Sequence, residues 1–342
     1  MPHRTFALFV LPSFLAMILF IALPLVSVAV QSLYVEHPQV MATVEACDPF
    51  GCTTETRVDA QATAALREAA PLGRFNGLGT YLNRAHLAVA EVRAAWAAAP
   101  DWASFLAAVL SLPFYRALLF TLAYTAVVSP LSLGLGLLVA LALNALPRPS
   151  RGPIIYVTLL PMIVPTVVGA LTLLWMIDQR GVLGALLQWM TGDEDLSVRA
   201  SPALTWIALF AQGVWSSAPF VFIVFYAGLQ TAPRDTLESA MMDGASRLQR
   251  LRWVTLPHLA PIATFLMLVL VMDNFRVFEA IIGLNAQAHA TSLSLLIFQA
   301  LRSGDAPLFG SAAASSMLTL LCIAVLCTPS MLRAYRAFKV KA

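Results

Sequence analysis

The sequence predicts an all-α integral membrane protein with six transmembrane helices. Of its 342 residues, 59% are hydrophobic and only 11% are charged, whereas soluble domains are typically about 25% charged. Six apolar runs also reach the length of about 20 residues that a helix needs to cross a bilayer. These observations exclude a soluble enzyme and a disordered chain. The net charge of +3 is too small to indicate nucleic-acid binding.

The six runs are continuous and rich in Leu, Ala and Val, which favours helices over the alternating segments of a β-barrel. They cover residues 6–33, 117–143, 154–177, 203–228, 260–284 and 311–332. A cleaved signal sequence is an alternative for the first run, since Arg4 precedes it. Its apolar core is, however, longer than the roughly 7–15 residues of a signal, and no clear cleavage site follows. Pro130, Pro161, Pro165 and Pro219 are expected to kink the spans.

Basic residues predict the orientation, because short cytoplasmic loops are enriched in Lys and Arg. With the N-terminus in the cytoplasm, the inner set is Arg4, Arg148, Arg151, Arg234, Arg247, Arg250, Arg252, Arg333, Arg336, Lys339 and Lys341. The short outer loops then hold only Arg180, Arg199 and Arg302. Both termini are therefore expected in the cytoplasm. The predicted regions are a first span (1–33), an outer segment (34–116), a five-helix core (117–332) and a cytoplasmic tail (333–342).

The outer segment contains two stretches with helical character. Leu82, Ala85, Val89, Val92 and Trp96 fall at helical spacing. A second stretch, 102–112, is apolar and is expected to lie along the membrane interface. Two interpretations remain open for the segment: a docking surface for an external partner, or a packed cap over the helices.

Cysteines are few and leave two alternatives. Cys47 and Cys52 lie in the polar outer segment, whereas Cys322 and Cys327 lie in an apolar run. If the outer compartment is oxidising, the first pair is able to close a small disulfide loop. Two free thiols are the alternative.

Catalytic and metal-binding patterns are missing from the sequence. The only lysines, Lys339 and Lys341, lie in the tail without the glycines of a P-loop. The five histidines are scattered, and neither H-E-x-x-H nor C-x-x-C nor G-x-S-x-G occurs. We therefore predict no catalytic residue, metal or cofactor in this chain. If ATP drives transport, another subunit must hydrolyse it.

The loop between the fourth and fifth spans, 229–259, carries strong local signals. Asp235 with Glu238 forms a D-x-x-E helix start. Gly244 is placed to end that helix at positive φ. Ser246 and Gln249 form a second capping box. The chemistry predicts a short helix, a glycine turn and a second short helix on the inner face of the membrane.

Pro257 is expected to end the second short helix before the fifth span begins. Arg247 and Arg250 share one face of that helix. On that face they are able to meet lipid headgroups or an acidic partner.

This loop resembles the E-A-A-x3-G-x9-I-x-L-P loop of binding-protein-dependent ABC importer permeases. The matching residues are Glu238, Ser239, Ala240, Gly244, Val254, Leu256 and Pro257. Ser239 departs from the usual Ala and Val254 from the usual Ile. The D-G-A-S sequence at 243–246 is similar to that of the carbohydrate-uptake, or maltose-type, branch.

The resemblance continues along most of the chain. The similar segments are 75–82, 114–125, 159–165, 215–220, 227–230 and 275–279. Residues 35–74 and 83–112 depart from the family pattern, which leaves the docking geometry of the outer surface open. The T-x-G-G-P that usually follows the fifth span is replaced by residues 284–290.

The resemblance implies a type I ABC importer permease fold in a bacterial inner membrane. It also implies three kinds of partner: a second homologous permease, two cytoplasmic ATPases that bind ATP and Mg, and an external solute-binding protein. The loop would seat in a groove of the ATPase. The coupling contacts carried over from the family are Glu238, Ala240, Asp243, Gly244 and Leu256. The alternatives are that Glu238 only caps a helix and that Leu256 only packs.

A polar patch interrupts the fifth span. Asp273, Asn274, Arg276 and Glu279 lie in an otherwise apolar segment, where each charge costs at least about 2.5–3.5 kcal/mol. They are therefore expected to face a cavity or a partner. Asp273 and Arg276, at i and i+3, are placed to pair on one face. Asn274 and Phe278, four apart, are expected on another.

One interpretation of this patch is a wall that binds a polyol. Amide and charged groups bind hydroxyls, while an aromatic ring packs against the C–H face of a sugar. Gln212, Trp215 and Ser216, midway along the fourth span, are candidates for the opposing wall. The alternative is an intramembrane ion pair that holds spans together, or an interface with the second permease.

The predicted function is a permease subunit that imports a carbohydrate or polyol, which the sequence does not name. One alternative is an ABC permease for polyamines, peptides or phosphate esters. Another is a stand-alone secondary transporter in which Asp273, Arg276 and Glu279 relay protons. A membrane enzyme is disfavoured, because no nucleophile and base are paired in any motif.

Overall fold

A computed structural model describes residues 3–48, 51–193, 195–302 and 308–341. The chain divides into two compact units. One consists of Met1–Tyr115 and Leu296–Leu320, and the other of Arg116–Leu295 and Leu321–Ala342.

Helices and short strands form the first 110 residues. The elements are α1 (His3–Met17), a π-helical turn (Ile18–Ala22), α2 (Leu23–Gln31), β1 (Tyr34–Val35), β2 (Met41–Asp48), β3 (Gly51–Val58), α3 (Ala60–Ala69), β4 (Arg74–Phe75), α4 (Gly79–Leu82), α5 (Val89–Ala98) and α6 (Trp102–Leu110). α1, the π-helical turn and α2 follow one another directly. Within them, Leu8–Gln31 is long and apolar enough to cross a membrane.

All regular elements that the structure describes after α6 are helices. The elements are α7 (Pro113–Ala145), α8 (Arg148–Ile163), α9 (Thr166–Ile177), α10 (Val182–Thr191), α11 (Pro202–Gln230), α12 (Arg234–Met242), α13 (Arg247–Arg250), a second π-helical turn (Leu251–Thr255), α14 (Leu256–Phe275), α15 (Glu279–Gly283), α16 (Leu293–Arg302) and α17 (Phe309–Lys341).

The six predicted spans are confirmed in number when a bent helix pair is taken as one span. Five helices of the described chain pass the test of length and composition singly: Leu8–Gln31, Pro113–Ala145, Pro202–Gln230, Arg247–Phe275 and Phe309–Pro329. The sixth is the pair of α8 and α9, which passes together but is bent by 95°.

The predicted boundaries of the fifth span, 260–284, are wrong at both ends. The helix runs without a break over Arg247–Phe275, so Pro257 does not end the helix before it. The preceding turn is π-helical, and its Leu256 N–H bonds the carbonyl of Leu251, five residues back. This wider turn, together with the place of Pro257 near the start of α14, accommodates the missing proline N–H.

A hairpin of β2 and β3 occupies the start of the outer segment. The strands are antiparallel, with register from Met41 opposite Val58 to Asp48 opposite Gly51. The sequence analysis missed this hairpin because β3 has no period-two alternation of apolar residues. The backbones of Cys47 and Cys52 are opposite each other in the register. Their side chains lie outside the described residues, so the disulfide stays an open alternative.

The predicted helix through residues 82–96 is wrong, because two helices replace it. α4 ends at Leu82 and α5 begins at Val89. Between them, Asn83 Oδ1 accepts the backbone N–H of Ala85 at 3.1 Å, and Ala88 has a φ of 46°. An asparagine that bonds its own downstream backbone competes with helix formation. The second predicted helix is confirmed as α6.

Contacts within the first unit tie the outer segment to the start of α17. Glu36 Oε1 accepts the backbone N–H of Gly310 at 2.6 Å. The ring of His86 is fully buried, and its Nε2 lies 3.0 Å from the carbonyl oxygen of Ser311. These contacts favour the interpretation of a packed segment, and docking of an external partner stays a prediction.

The apolar core of the second unit joins α7, α11 and α14. Its buried members are Ala140, Leu143, Val221, Phe222, Phe225, Leu229, Leu259, Leu266 and Leu270. Gly136 allows α7 to approach α11 closely, because a Cβ there would lie 2.6 Å from Val221 Cγ1 and 2.8 Å from the backbone N of Phe222. The core therefore holds together the helices on both sides of the loop at 229–259.

Candidate functional site

The first half of the loop between the fourth and fifth spans is α12. The predicted start at Asp235 is wrong, because the N-cap is Pro233 and it makes no side-chain bond. Asp235 lies instead in the first turn, where a carboxylate is favoured by the helix dipole. Glu238 follows on the same helix and is exposed.

The turn and the second helix of the loop form as predicted. Gly244 has a φ of +75°, a conformation that glycine adopts without strain. Ser246 Oγ accepts the backbone N–H of Gln249 at 3.3 Å, and Gln249 Oε1 accepts that of Ser246 at 2.7 Å. The capping box is therefore confirmed.

Most of the residues predicted to couple are accessible. Glu238, Asp243, Gly244 and Leu256 are exposed, and Ala240 is half-buried.

The loop also presents large apolar side chains that the sequence analysis did not single out. Met242 is 89% exposed, Leu248 73% and Trp253 70%. Apolar groups beside acidic ones are typical of a surface that contacts another protein. The signal available in the sequence was their place among polar and charged residues in the loop at 229–259.

The ends of the loop are tied to three spans. Gly228 packs against α14, since a Cβ there would lie 2.5 Å from Ile262 Cδ1. Gln230 Nε2 donates to Asn144 Oδ1 of α7 at 3.1 Å. Thr231 Oγ1 lies 3.4 Å from His258 Nε2. A force on the loop would therefore reach α7, α11 and α14 as packed bodies.

The third span is broken at Val164 and Pro165. Val164 has an extended backbone, with φ −76° and ψ 123°, as expected for a residue before proline. The predicted kink at Pro165 is confirmed by the 95° bend between α8 and α9. Pro130, Pro161 and Pro219 lie inside α7, α8 and α11, and the kinks at these three positions stay predictions.

The candidate wall on the fourth span faces this break. Gln212 is 3% exposed, and its Nε2 is buried without a hydrogen-bond partner among the described residues. A Cβ on Gly169 of α9 would lie 3.1 Å from Gln212 Nε2 and 3.1 Å from Trp215 Cζ3. Trp215 is 44% exposed and Ser216 is half-buried. Gly169, which the sequence analysis did not single out, leaves the space in which both side chains lie.

The polar patch of the fifth span separates into two parts. The pair predicted between Asp273 and Arg276 is confirmed at 2.8 Å, and both side chains are exposed. Asn274 is buried, and its Nδ2 donates to Ser129 Oγ of α7 at 3.0 Å. The asparagine amide is therefore engaged between the second and fifth spans.

The predicted common face of Asn274 and Phe278 is wrong. α14 ends at Phe275, and Phe278 has a φ of −152° as the N-cap residue of α15. Helical periodicity does not continue through that break. Glu279 is the first residue of α15 and is exposed.

A polar cavity of about 630 Å³ lies among the loops that follow α9 and α15. Asp178, Arg199, Asn285, Gln287 and His289 are among its lining residues. An oxygen of Asp178 lies 4.0 Å from Arg199 Nη1. The segment 284–290, which replaces the usual family sequence, supplies one side of this cavity.

Among the described residues, no three His, Cys, Asp or Glu side chains cluster in a way that would hold a metal ion. Cys322 and Cys327 are free thiols.

The spans and the helical loop between the fourth and fifth of them define a multi-pass membrane protein of the transport-permease class. The family of binding-protein-dependent transport system inner membrane components matches residues 132–338. The chain belongs to this family.

Relatives in the same family transport sugars and related solutes. The trehalose/maltose transport system permease protein MalF of Thermococcus litoralis is 32% identical over 212 residues, which cover 60% of this chain and 70% of that protein. The sn-glycerol-3-phosphate transport system permease protein UgpA of Shigella flexneri is 32% identical over 197 residues. That match covers 56% of this chain and 66% of the relative.

The fold is also found in a solved structure. A chain of a bacterial ABC transporter involved in the import of the acidic polysaccharide alginate aligns with a TM-score of 0.60 and 21% identity. The alignment covers 81% of this chain and 96% of that one. At this identity the likeness shows the fold alone, which is that of a type I ABC importer permease.

Proposed function

We propose that this chain is the membrane-spanning permease subunit of an ATP-driven importer for a carbohydrate or polyol. It forms half of the translocation pathway beside a second, homologous permease. An external solute-binding protein delivers the solute, and two cytoplasmic ATPases drive the change of access. The assembly lies in a bacterial cytoplasmic membrane, with both termini of this chain in the cytoplasm.

The loop of α12 and α13 carries the proposal. It exposes Glu238, Met242 and Leu248, while its ends are tied to α7, α11 and α14. An exposed surface on a locally capped loop is suited to receive force from a separate protein. Glu238, Ala240, Asp243, Gly244 and Leu256 are the proposed contacts. ATP and Mg belong to the partner ATPases, since this chain has no P-loop sequence.

The proposed solute path runs at the level of the broken third span. Gln212, Trp215 and Ser216 supply polar and aromatic groups there, and Asp273, Arg276, Phe278 and Glu279 remain candidates on the facing span. Asn274 has its amide committed to Ser129, which reduces what it can offer a solute. The relatives named for trehalose, maltose and sn-glycerol 3-phosphate support the solute class.

The test is a Glu238→Ala variant in the complete importer. We expect ATP-driven uptake to fall by about tenfold, equivalent to about 1.4 kcal/mol of lost contact energy, while the chain still reaches the membrane. Uptake and ATP hydrolysis are measured on the same proteoliposomes. The matched control is Glu68→Ala, which removes an exposed carboxylate from α3 and should leave both rates unchanged. Unchanged uptake in Glu238→Ala would refute the coupling role.

A further inference from the structure

The break in the third span leaves backbone donors at membrane depth. α9 begins at Thr166, and the first N–H groups of a helix have no acceptor within the helix. Its N-cap residue is Pro165, whose side chain has no oxygen to accept them. The break lies midway between Arg151 and Asp178, the nearest charged residues along this span. In a hydrocarbon environment such donors require an acceptor from elsewhere.

A second, independent donor lies at the same place. Gln212 Nε2 of α11 is buried and has no partner among the described residues. A Cβ on Gly169, in the first turn of α9, would lie 3.1 Å from that nitrogen and 3.6 Å from Val164 Cγ1 at the break. The amide of Gln212 is therefore held beside the start of α9.

Exposed side chains lie on one side of this site, and the buried Gln212 lies on the other. Val167 and Val168, in the first turn of α9, are exposed. Trp215 borders Gly169 and is also partly exposed. A group of a solute is therefore able to approach the first turn of α9 along these side chains, and Gln212 lies behind them.

The helix dipole of α9, and not a side-chain charge, favours a negative group at this site. No charged residue occurs in 152–177 or in 202–230, the segments that form the break and the wall with Gln212. On the neighbouring elements, Asp273 is paired with Arg276. Glu279 lies in the first turn of α15 and is exposed. The start of α9 carries the positive end of a helix dipole.

We propose that the break at residues 164–169, together with Gln212, is a binding site for the anionic group of an acidic sugar or polyol, either a carboxylate or a phosphate. The inference rests on the proposed function and specifies the class of solute. The site consists of N–H donors without a neighbouring base, an arrangement that binds anionic oxygens at helix N-termini. Trp215 supplies an apolar face beside it for the ring of the sugar.

The competing explanation is that Gln212 serves only this chain, with its amide oxygen accepting the free N–H groups of α9. A Gln212→Glu variant separates the two explanations. A carboxylate would cap the helix as an amide oxygen does, and any cost of burying its charge falls on every solute alike, so a purely structural role predicts the same change in uptake for anionic and neutral solutes. In an anion site the same carboxylate repels the solute, so only anionic solutes are lost.

The experiment uses the complete importer with its binding protein in proteoliposomes supplied with ATP. Uptake is measured for a glucuronate-containing disaccharide, for glycerol 3-phosphate and for the neutral disaccharide trehalose. We expect the unmodified importer to carry at least one of the two anionic solutes, and the identity of that solute distinguishes a carboxylate site from a phosphate site. In Gln212→Glu, its uptake should fall by about tenfold, or about 1.4 kcal/mol.

Two further variants serve as a second test and as a control. Gln212→Met removes the donor without adding charge and should also lower uptake of the anionic solute, which covers the case in which the glutamate variant does not assemble. Gln299→Glu adds the same charge at an exposed position of α16 and should have no effect.

Three results would count against these proposals. Equal loss of anionic and neutral solutes, or normal uptake of all solutes by Gln212→Glu, would overturn the anion site. Import of neutral sugar alone by the unmodified importer would overturn the anion site and leave the proposed function intact. Absence of any ATP-driven import would refute the proposed function, and the anion site with it.

Discussion

The loop at 229–259 and the break at 164–165 each contain a proline beside an apolar span, Pro233 and Pro165. They differ in how the backbone N–H groups around them find hydrogen-bond acceptors. In the loop, Ser246 and Gln249 cap α13 reciprocally, and Gly244 takes the positive φ that ends α12. At the break, α9 starts without a side-chain cap, and Gln212 Nε2 has no partner among the described residues. The first turn of α12 also lacks a side-chain cap, but Asp235 and Thr236 in that turn are exposed, so water accepts its free N–H groups. The break lies in an apolar span and requires an acceptor from elsewhere.

This difference fits two kinds of task. A loop whose shape is fixed by neighbouring residues keeps that shape when a partner pushes on it. A site with unused donors gains free energy when a solute supplies the acceptor, because buried polar groups are costly to leave unpaired. Hydrogen bonds completed within the loop therefore favour transmission of force, and donors left unpaired at the break favour binding of a solute. Variants that remove a local contact and variants that remove a long-range contact should differ in their effects on stability and uptake.

The first prediction concerns the local ion pair at the end of the fifth span. Asp273→Ala leaves Arg276 without its partner at 2.8 Å, and because both side chains are exposed the expected loss of stability is at most about 1 kcal/mol. The double variant, Asp273→Ala with Arg276→Ala, removes both charges and should recover most of that loss. Thermal unfolding of the purified chain measures both. A double variant as unstable as the single one would show that the pair is not what holds this region.

The largest effect is expected from the long-range pair between α7 and α14. Asn274→Leu keeps the volume of the side chain but leaves the hydroxyl of Ser129 without its bond at 3.0 Å, a loss of about 1–3 kcal/mol for a buried polar group. Ser129→Ala in the same background should add little further loss, because the partner is already gone. Thermal unfolding of the two single variants and the double variant completes the cycle. Additive losses would contradict the shared bond.

The sequence predicts contacts between residues that are close together in the chain, but not contacts between residues that are far apart in it. The Ser246 box, Gly244 and the pair of Asp273 with Arg276 are separated by at most a few residues, so spacing alone indicates them. The bond from Asn274 reaches Ser129 across 145 positions. The approach of Gln212 to Gly169 depends on how α9 bends. No periodicity in a single sequence determines such contacts.

The ends of the helices show a second limit of prediction from the sequence. The sequence locates the apolar spans because the membrane imposes their length and composition. It places Pro257 and Phe278 wrongly, because a π-helical turn allows a helix to continue through the first proline and a break before α15 removes Phe278 from the helix of Asn274. Such irregular turns depend on the packing around them.

The sharpest test of the loop concerns Gly244. A Cβ at this position would meet no atom within 4 Å, so a substitution acts through the backbone φ of +75°. Gly244→Ala should cost about 1 kcal/mol, while Gly244→Asn should cost less, since asparagine visits this conformation more readily. If the glycine serves the shape of the loop, the ratio of solute imported to ATP hydrolysed should fall in Gly244→Ala and recover in Gly244→Asn. If asparagine is instead as harmful as alanine, the ATPase requires the absence of a side chain, and Gly244 is part of the contact itself.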